Sequence, residues 1–128
     1  MHTFAIQKID AINGTQDFNK LIVDGKSLLD EFEESLEDIY KCEMDSIYYY
    51  MEEVANCRSL PVSKFRELRK VKGNIKEYEF KNKHIRVYAI KQPGGKLIVM
   101  CGYKNSQDRD IVKFRELKKE YLNFSSKK

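Results

Sequence analysis

Arg86 and Lys104 are the residues whose type and setting best suit chemistry. Arg86 stands in Ile85-Arg86-Val87-Tyr88-Ala89-Ile90, in step with Tyr88 and Ile90 and opposite Ile85, Val87 and Ala89. Strand alternation leaves two readings open: Arg86 points to solvent, or it lies in a concave face beside Tyr88. A guanidinium suits phosphate because its planar fork donates two hydrogen bonds at once. Lys104 follows an apolar strand and opens a loop, where a scaffold presents side chains to a ligand. Such groups would position an RNA backbone and stabilise charge developing on a phosphate as the ribose 2′-hydroxyl attacks. Taken singly, each is also an ordinary solvated cation.

Other chemistries find little support. No phosphate-cradling glycine loop, nucleophile elbow or metal motif appears. His2, His84, Cys42, Cys57 and Cys101 form no cluster with zinc-ligand spacing, so neither a metal nor a cofactor is expected. Three isolated cysteines fit a reducing cytoplasm, where thiols act as small apolar residues. The longest uncharged stretch, Leu97 to Tyr103, falls far short of the ~20 apolar residues that span a bilayer. Met1 to Ala11 lacks a basic region followed by an apolar run, so no secretory signal is expected.

Charge is distributed unevenly. Residues 1–60 carry 5 Lys/Arg against 13 Asp/Glu, a net −8, whereas residues 61–128 carry 19 against 7, a net +12. A basic half of this density suggests a phosphate-bearing or acidic partner. Alternatively, the two halves pack together and neutralise each other.

The elements that must position these residues follow from periodicity. At 128 residues the chain is one domain. Residues 3–9 read as a strand and 10–19 as a turn around Asn13-Gly14; Leu21-Ile22-Val23 is a strand or the start of a helix. From Ser27, the apolar stripe Leu28, Leu29, Phe32, Leu36, Ile39 and Tyr40 predicts a helix with acidic residues on its other face. Ser27 lies three residues before Asp30, as in a capping box. A second helix is predicted over about 44–56, on Met44, Ile47, Tyr48, Met51, Val54 and Ala55. Residues 75–81 and 85–90 read as strands joined at Asn82-Lys83, and Pro93-Gly94 turns the chain into a third strand at 97–103, apolar enough to be buried on both faces. A last helix over about 108–122 would bury Ile111, Phe114, Leu117, Tyr121 and Leu122, with 125–128 a frayed tail. Lys64-Phe65-Arg66-Glu67-Leu68-Arg69-Lys70 nearly recurs as Lys113-Phe114-Arg115-Glu116-Leu117-Lys118-Lys119; with nothing around them repeated, both read as basic amphipathic turns.

Glu79-Phe80-Lys81, Ile85-Arg86-Val87-Tyr88, Tyr103-Lys104-Asn105-Ser106-Gln107, Arg109-Asp110-Ile111 and Glu120-Tyr121-Leu122 occur in an order and spacing that resembles the RelE/ParE superfamily of bacterial type II toxins, and more closely its phage-derived HigB-like branch. The resemblance is strongest over 65–122. It implies an α+β fold: a small twisted antiparallel sheet, a meander, with two helices before it and one after. It implies a cytoplasmic, metal-independent endoribonuclease that cleaves mRNA on the ribosome, inhibits translation and is neutralised by a cognate antitoxin protein. The alternative it implies is a non-enzymatic protein of the same fold, a gyrase inhibitor or protein-interaction module. By resemblance, Arg86 and Lys104 take catalytic roles; the alternation of Arg86 within an otherwise apolar strand predicts that it is accessible on the ligand-facing sheet surface. Lys81, Tyr88, Tyr103 and Gln107 would contact RNA, Lys81 standing where the branch has an arginine. Asn105 departs from the family's second loop lysine, and Glu77 and Glu79 stand on the strand where RelE-type enzymes carry lysines, although Glu79 suits the HigB-like pattern. No histidine aligns with a general acid or base; His84 is expected to be structural or exposed.

Overall fold

The computed structural model describes residues 2–126. Seven strands, β1 (Phe4–Lys8), β2 (Asp17–Val23), β3 (Lys26–Ser27), β4 (Phe65–Glu67), β5 (Glu77–Lys81), β6 (Ile85–Gln92) and β7 (Gly95–Tyr103), form one sheet in the order β1-β2-β7-β6-β5-β4, with β3 on the edge of β2. Helices α1 (Leu28–Ser35) and α2 (Asp38–Ala55) cover one face and α3 (Gln107–Ser126) the other. The class is α+β, and the sheet is mixed but mostly antiparallel, since β2 runs parallel to β7.

Two expectations about the order of elements are corrected. The sheet does not follow the first two helices; β1 to β3 precede them and belong to the same sheet. Nor is it a purely antiparallel meander. Burial explains why β2 joins the centre. Phe18 enters the core beneath α1 and α2, whereas Leu21 and Val23 enter the core beneath α3, so β2 is apolar on both faces and must lie inside the sheet. The ambiguous run Leu21-Ile22-Val23 is therefore the end of this strand.

β7 is central, as its composition requires. One residue, Val99, is extra opposite Tyr88 and Ala89, a bulge that sets Ile98 and Cys101 on one face and Leu97 and Met100 on the other. At its start, a Cβ on Gly95 would fall 1.7 Å from the carbonyl oxygen of Asp17, so only glycine allows β2 to lie alongside.

The helix predicted from Ser27 is divided. Leu36 is extended (φ −66°, ψ 134°), which ends α1, and α2 begins at Asp38 and not near Met44. Leu36 drops into the same core as Met44, while Ile39 is left on the surface. Ser27 does cap α1: its Oγ accepts from the Asp30 amide at 3.1 Å. Ser27→Ala is expected to lower stability by about 1 kcal/mol, the usual contribution of such a cap. Urea unfolding checks this, and an unchanged midpoint would show that the cap contributes nothing.

The near-repeated segment takes two conformations. Residues 113–119 lie within α3 as expected, but 65–67 form strand β4, not an amphipathic turn. Side-chain geometry accounts for both. In a strand, positions three apart face opposite ways, and Phe65 packs against the α2-side core while Leu68 enters the α3-side core. In a helix they share a face, and Phe114 and Leu117 both enter the α3-side core. Of the predicted tail, Ser125 and Ser126 are helical, and residues 127–128 lie outside the described residues.

Candidate functional site

The β5–β6 pairing fixes which predicted residues meet. Glu77 lies opposite Ile90, Glu79 opposite Tyr88 and Lys81 opposite Arg86, all on the face that α3 covers. Arg86 lies opposite Gly102, near the end of β7, and Lys104 follows immediately. Lys81, Arg86 and Lys104 thus converge at one end of the sheet. Burial lowers the pKa of Lys81, and the charges of Arg66, Arg86 and Lys104 lower it further against the opposing pull of Glu79. Neither Lys81 nor Lys104 forms an ion pair among the described residues.

Glu79 is fully buried at the centre of this cluster. Arg66 Nε donates to its Oε1 at 2.9 Å and Gln107 Nε2 to its Oε2 at 2.6 Å. Gln107, predicted to contact RNA, is thereby committed to a carboxylate. Glu77 is held in the same way by Arg115 and Lys118 of α3, at 2.8 Å and 3.0 Å. These two glutamates are the acceptors of the buried ion pairs. The two copies of Phe-Arg-Glu-Leu each contribute the arginine that holds one of them.

The predicted exposure of Arg86 is corrected: it is 7% exposed, and its Nη1 donates to the main-chain carbonyls of Asn82 and Ile85. α3 lies over this face, which closes it. Tyr88 has no exposed surface, stacks on Phe114 and so offers no free face to a base. The same burial raises its pKa. Arg86 Nε and the Tyr88 hydroxyl are buried and make no hydrogen bond. The side chain of Asp110 occupies the space a Cβ on Gly102 would take, so any larger residue there would displace that carboxylate at the start of α3.

Tyr103 and Lys104 open on a different surface. Together with Glu37, Tyr40, His84 and Asn105 they line a cleft of about 560 Å³ at the same end of the sheet. Its rings meet edge to face, Tyr40 on His84 with centroids 5.1 Å apart and Tyr40 on Tyr103 at 5.7 Å, and Phe32 supports Tyr103 from below at 5.2 Å. Burial, then Glu37 and Tyr40, raise the pKa of Tyr103. Glu43 of α2 reaches the β5–β6 hairpin: its Oε1 accepts from the His84 amide at 2.7 Å, and its Oε2 meets His84 Nδ1 at 2.6 Å. The His84 carbonyl in turn accepts from the Lys104 amide at 2.8 Å. Sequence reasoning passed over Tyr40, Glu43 and the setting of His84. The pair lies 41 residues apart, and no local pattern joins them.

Among the described residues no Lys or Arg ion pair joins residues 1–60 to 61–128; Lys20–Asp30 and Arg58–Glu53 lie in the first part, Arg66–Glu79 and Lys76–Glu67 in the second. Direct pairing of lysines and arginines therefore does not neutralise the charge split. No three His, Cys, Asp or Glu side chains among the described residues could together hold a metal ion, and no described helix is long and apolar enough to cross a membrane. No protein-family model, curated protein or solved structure matches the chain.

Proposed function

We propose that this chain is the toxin of a type II toxin–antitoxin pair, an endoribonuclease of RelE/ParE type that cleaves mRNA on the ribosome in the cytoplasm and is held in check by a cognate antitoxin. The observation that carries this reading is the convergence of Lys81, Arg86 and Lys104 at one end of the sheet, beside a cleft lined by Tyr40, His84 and Tyr103. Unpaired lysines suit a phosphate backbone, and half-buried rings that line an open cleft suit unstacked bases.

A second reading rests on the closed α3 face. With Arg86 bound to carbonyls and Tyr88 sealed under α3, the same fold suits a non-enzymatic inhibitor that binds gyrase or another protein. Expression in growing bacteria separates the two. Growth arrest with ribosome-bound mRNA cut at defined positions is the expected result. Arrest with intact mRNA points to the second reading, and growth without arrest rejects the toxin assignment.

A further inference from the structure

We propose that the cleft between α2 and the end of β7 is the reacting centre, and that His84 is its proton-transfer group, positioned by Glu43, acting on a ribonucleotide unit whose base stacks on Tyr40 or Tyr103. This rests on the RNA-cleavage reading and moves its chemistry from the strand face marked by Arg86 to the side of the sheet that faces α2.

Three observations lead there. An ionised carboxylate only accepts hydrogen bonds, so the 2.6 Å contact with Glu43 Oε2 makes His84 Nδ1 the donor. In the neutral ring that leaves Nε2 as the nitrogen without a proton, and Nε2 makes no hydrogen bond among the described residues. Glu43 is also clamped, since its second oxygen accepts from the His84 amide and its own carbonyl accepts from Asn82 Nδ2 at 3.3 Å. A base oriented by a third group is the arrangement that activates a hydroxyl nucleophile. His84 is 45% exposed at its side chain and Glu43 only 16%, so the imidazole meets solvent while its orienting group does not. Finally, Lys104 lines the same cleft with no ion-pair partner, and its amide is bonded to the His84 carbonyl, so the main chain holds the two residues side by side while the exposed ammonium can reach a phosphate in the cleft.

The step balances within the RNA and water. His84 Nε2 takes the proton of the ribose 2′-hydroxyl as that oxygen bonds to the adjacent phosphorus. The bond from phosphorus to the 5′-oxygen breaks, that oxygen takes a proton from water, and the hydroxide so formed takes back the proton held on His84, leaving a 2′,3′-cyclic phosphate and a 5′-hydroxyl. Lys104 stands over the developing negative charge. Tyr40 and Tyr103 offer rings on which a base can stack, each such contact contributing binding that tolerates any base.

The test uses the full chain with ribosome-bound mRNA, and separately with adenosine 3′-monophosphate. His84→Gln keeps a donor for Glu43 but has no nitrogen that accepts a proton. It is expected to retain the wild-type unfolding midpoint and RNA affinity while cleavage falls by about 100-fold or more, the usual contribution of general base catalysis. His84→Ala should be restored in part by added imidazole, which a merely structural histidine would not show. In nuclear magnetic resonance spectra, adenosine 3′-monophosphate should shift the His84, Tyr40 and Tyr103 ring signals. Wild-type rates in His84→Gln, or ring signals unmoved by the nucleotide, overturn the inference while wild-type cleavage leaves the enzyme reading standing. A wild-type chain that leaves mRNA intact rejects the enzyme reading and the proton-transfer role with it.

Discussion

Glu77→Ala is expected to destabilise the fold by about 3–5 kcal/mol, the cost of stranding a buried charge by removing its partner. Glu77 is 2% exposed and accepts from Arg115 Nε and from Lys118 Nζ. Lys118 is itself buried, and without Glu77 its ammonium would keep only the Ile75 carbonyl, at 2.6 Å. Arg115 would keep the Arg69 carbonyl and about a third of its surface in water, so it loses less. Exposed pairs set the scale: Lys41–Asp38 lies on the surface, where a pair contributes roughly 0.5 kcal/mol or less. Because both cations belong to α3, the variant should loosen that helix from the sheet before anything else. Urea unfolding with hydrogen exchange along α3 reads both effects. Glu77→Leu combined with Lys118→Met should recover most of the loss, since no buried lysine is then stranded. A Glu77→Ala chain within about 1 kcal/mol of wild type would show that Lys118 finds water or another acceptor.

The buried glutamates also mark where sequence reasoning stopped. Their identities suggested a departure from an RNA-cleaving pattern, whereas the fold uses them to hold the two arginines of the repeated segment. That use depends on β4 pairing along β5 while α3 packs across its face, a long-range arrangement with no signature in either segment. Local signals did better. The Ser27 cap, the hairpin at Asn82-Lys83, the turn at Pro93-Gly94 and a β7 buried on both faces all follow from neighbours within a few residues. The parallel pairing of β2 with β7 does not, because β2 shows its two apolar faces at Phe18, Leu21 and Val23, too few positions to separate strand from helix. Among the predicted site residues, Lys81, Arg86 and Lys104 do come together, since a hairpin followed by a strand leaves their positions at one end of the sheet. Exposure was the quantity that could not be read. Alternation places Arg86 on a face but does not say that α3 lies over it.

Removing the two unpaired lysines tests the proposed RNA contact at its most sensitive point. Lys81→Gln with Lys104→Gln is expected to weaken binding of single-stranded RNA about 25-fold at 0.1 M salt. The figure follows from counterion release: each phosphate neutralised on a single strand steepens the salt dependence of log affinity by ~0.7, so losing two contacts flattens the slope by ~1.4 and lowers affinity by ~1.4 decades relative to 1 M salt. Neither lysine holds a carboxylate in the fold, so stability should change little. Lys81 should in fact gain, because its ammonium is disfavoured by burial and by Arg66, Arg86 and Lys104 around it. Glutamine variants of Glu31 and Glu34, exposed on α1, serve as controls and should leave the slope as it is. The same double variant should slow association with an acidic antitoxin segment if that segment masks this end of the sheet, since complementary charge acts mainly on the rate of encounter. Anisotropy titrations across a salt series give both slope and affinity. A slope unchanged by the double variant would mean that RNA, if it binds, is held through other cations of the basic half, and the convergence of Lys81 and Lys104 would no longer support a nucleic-acid site.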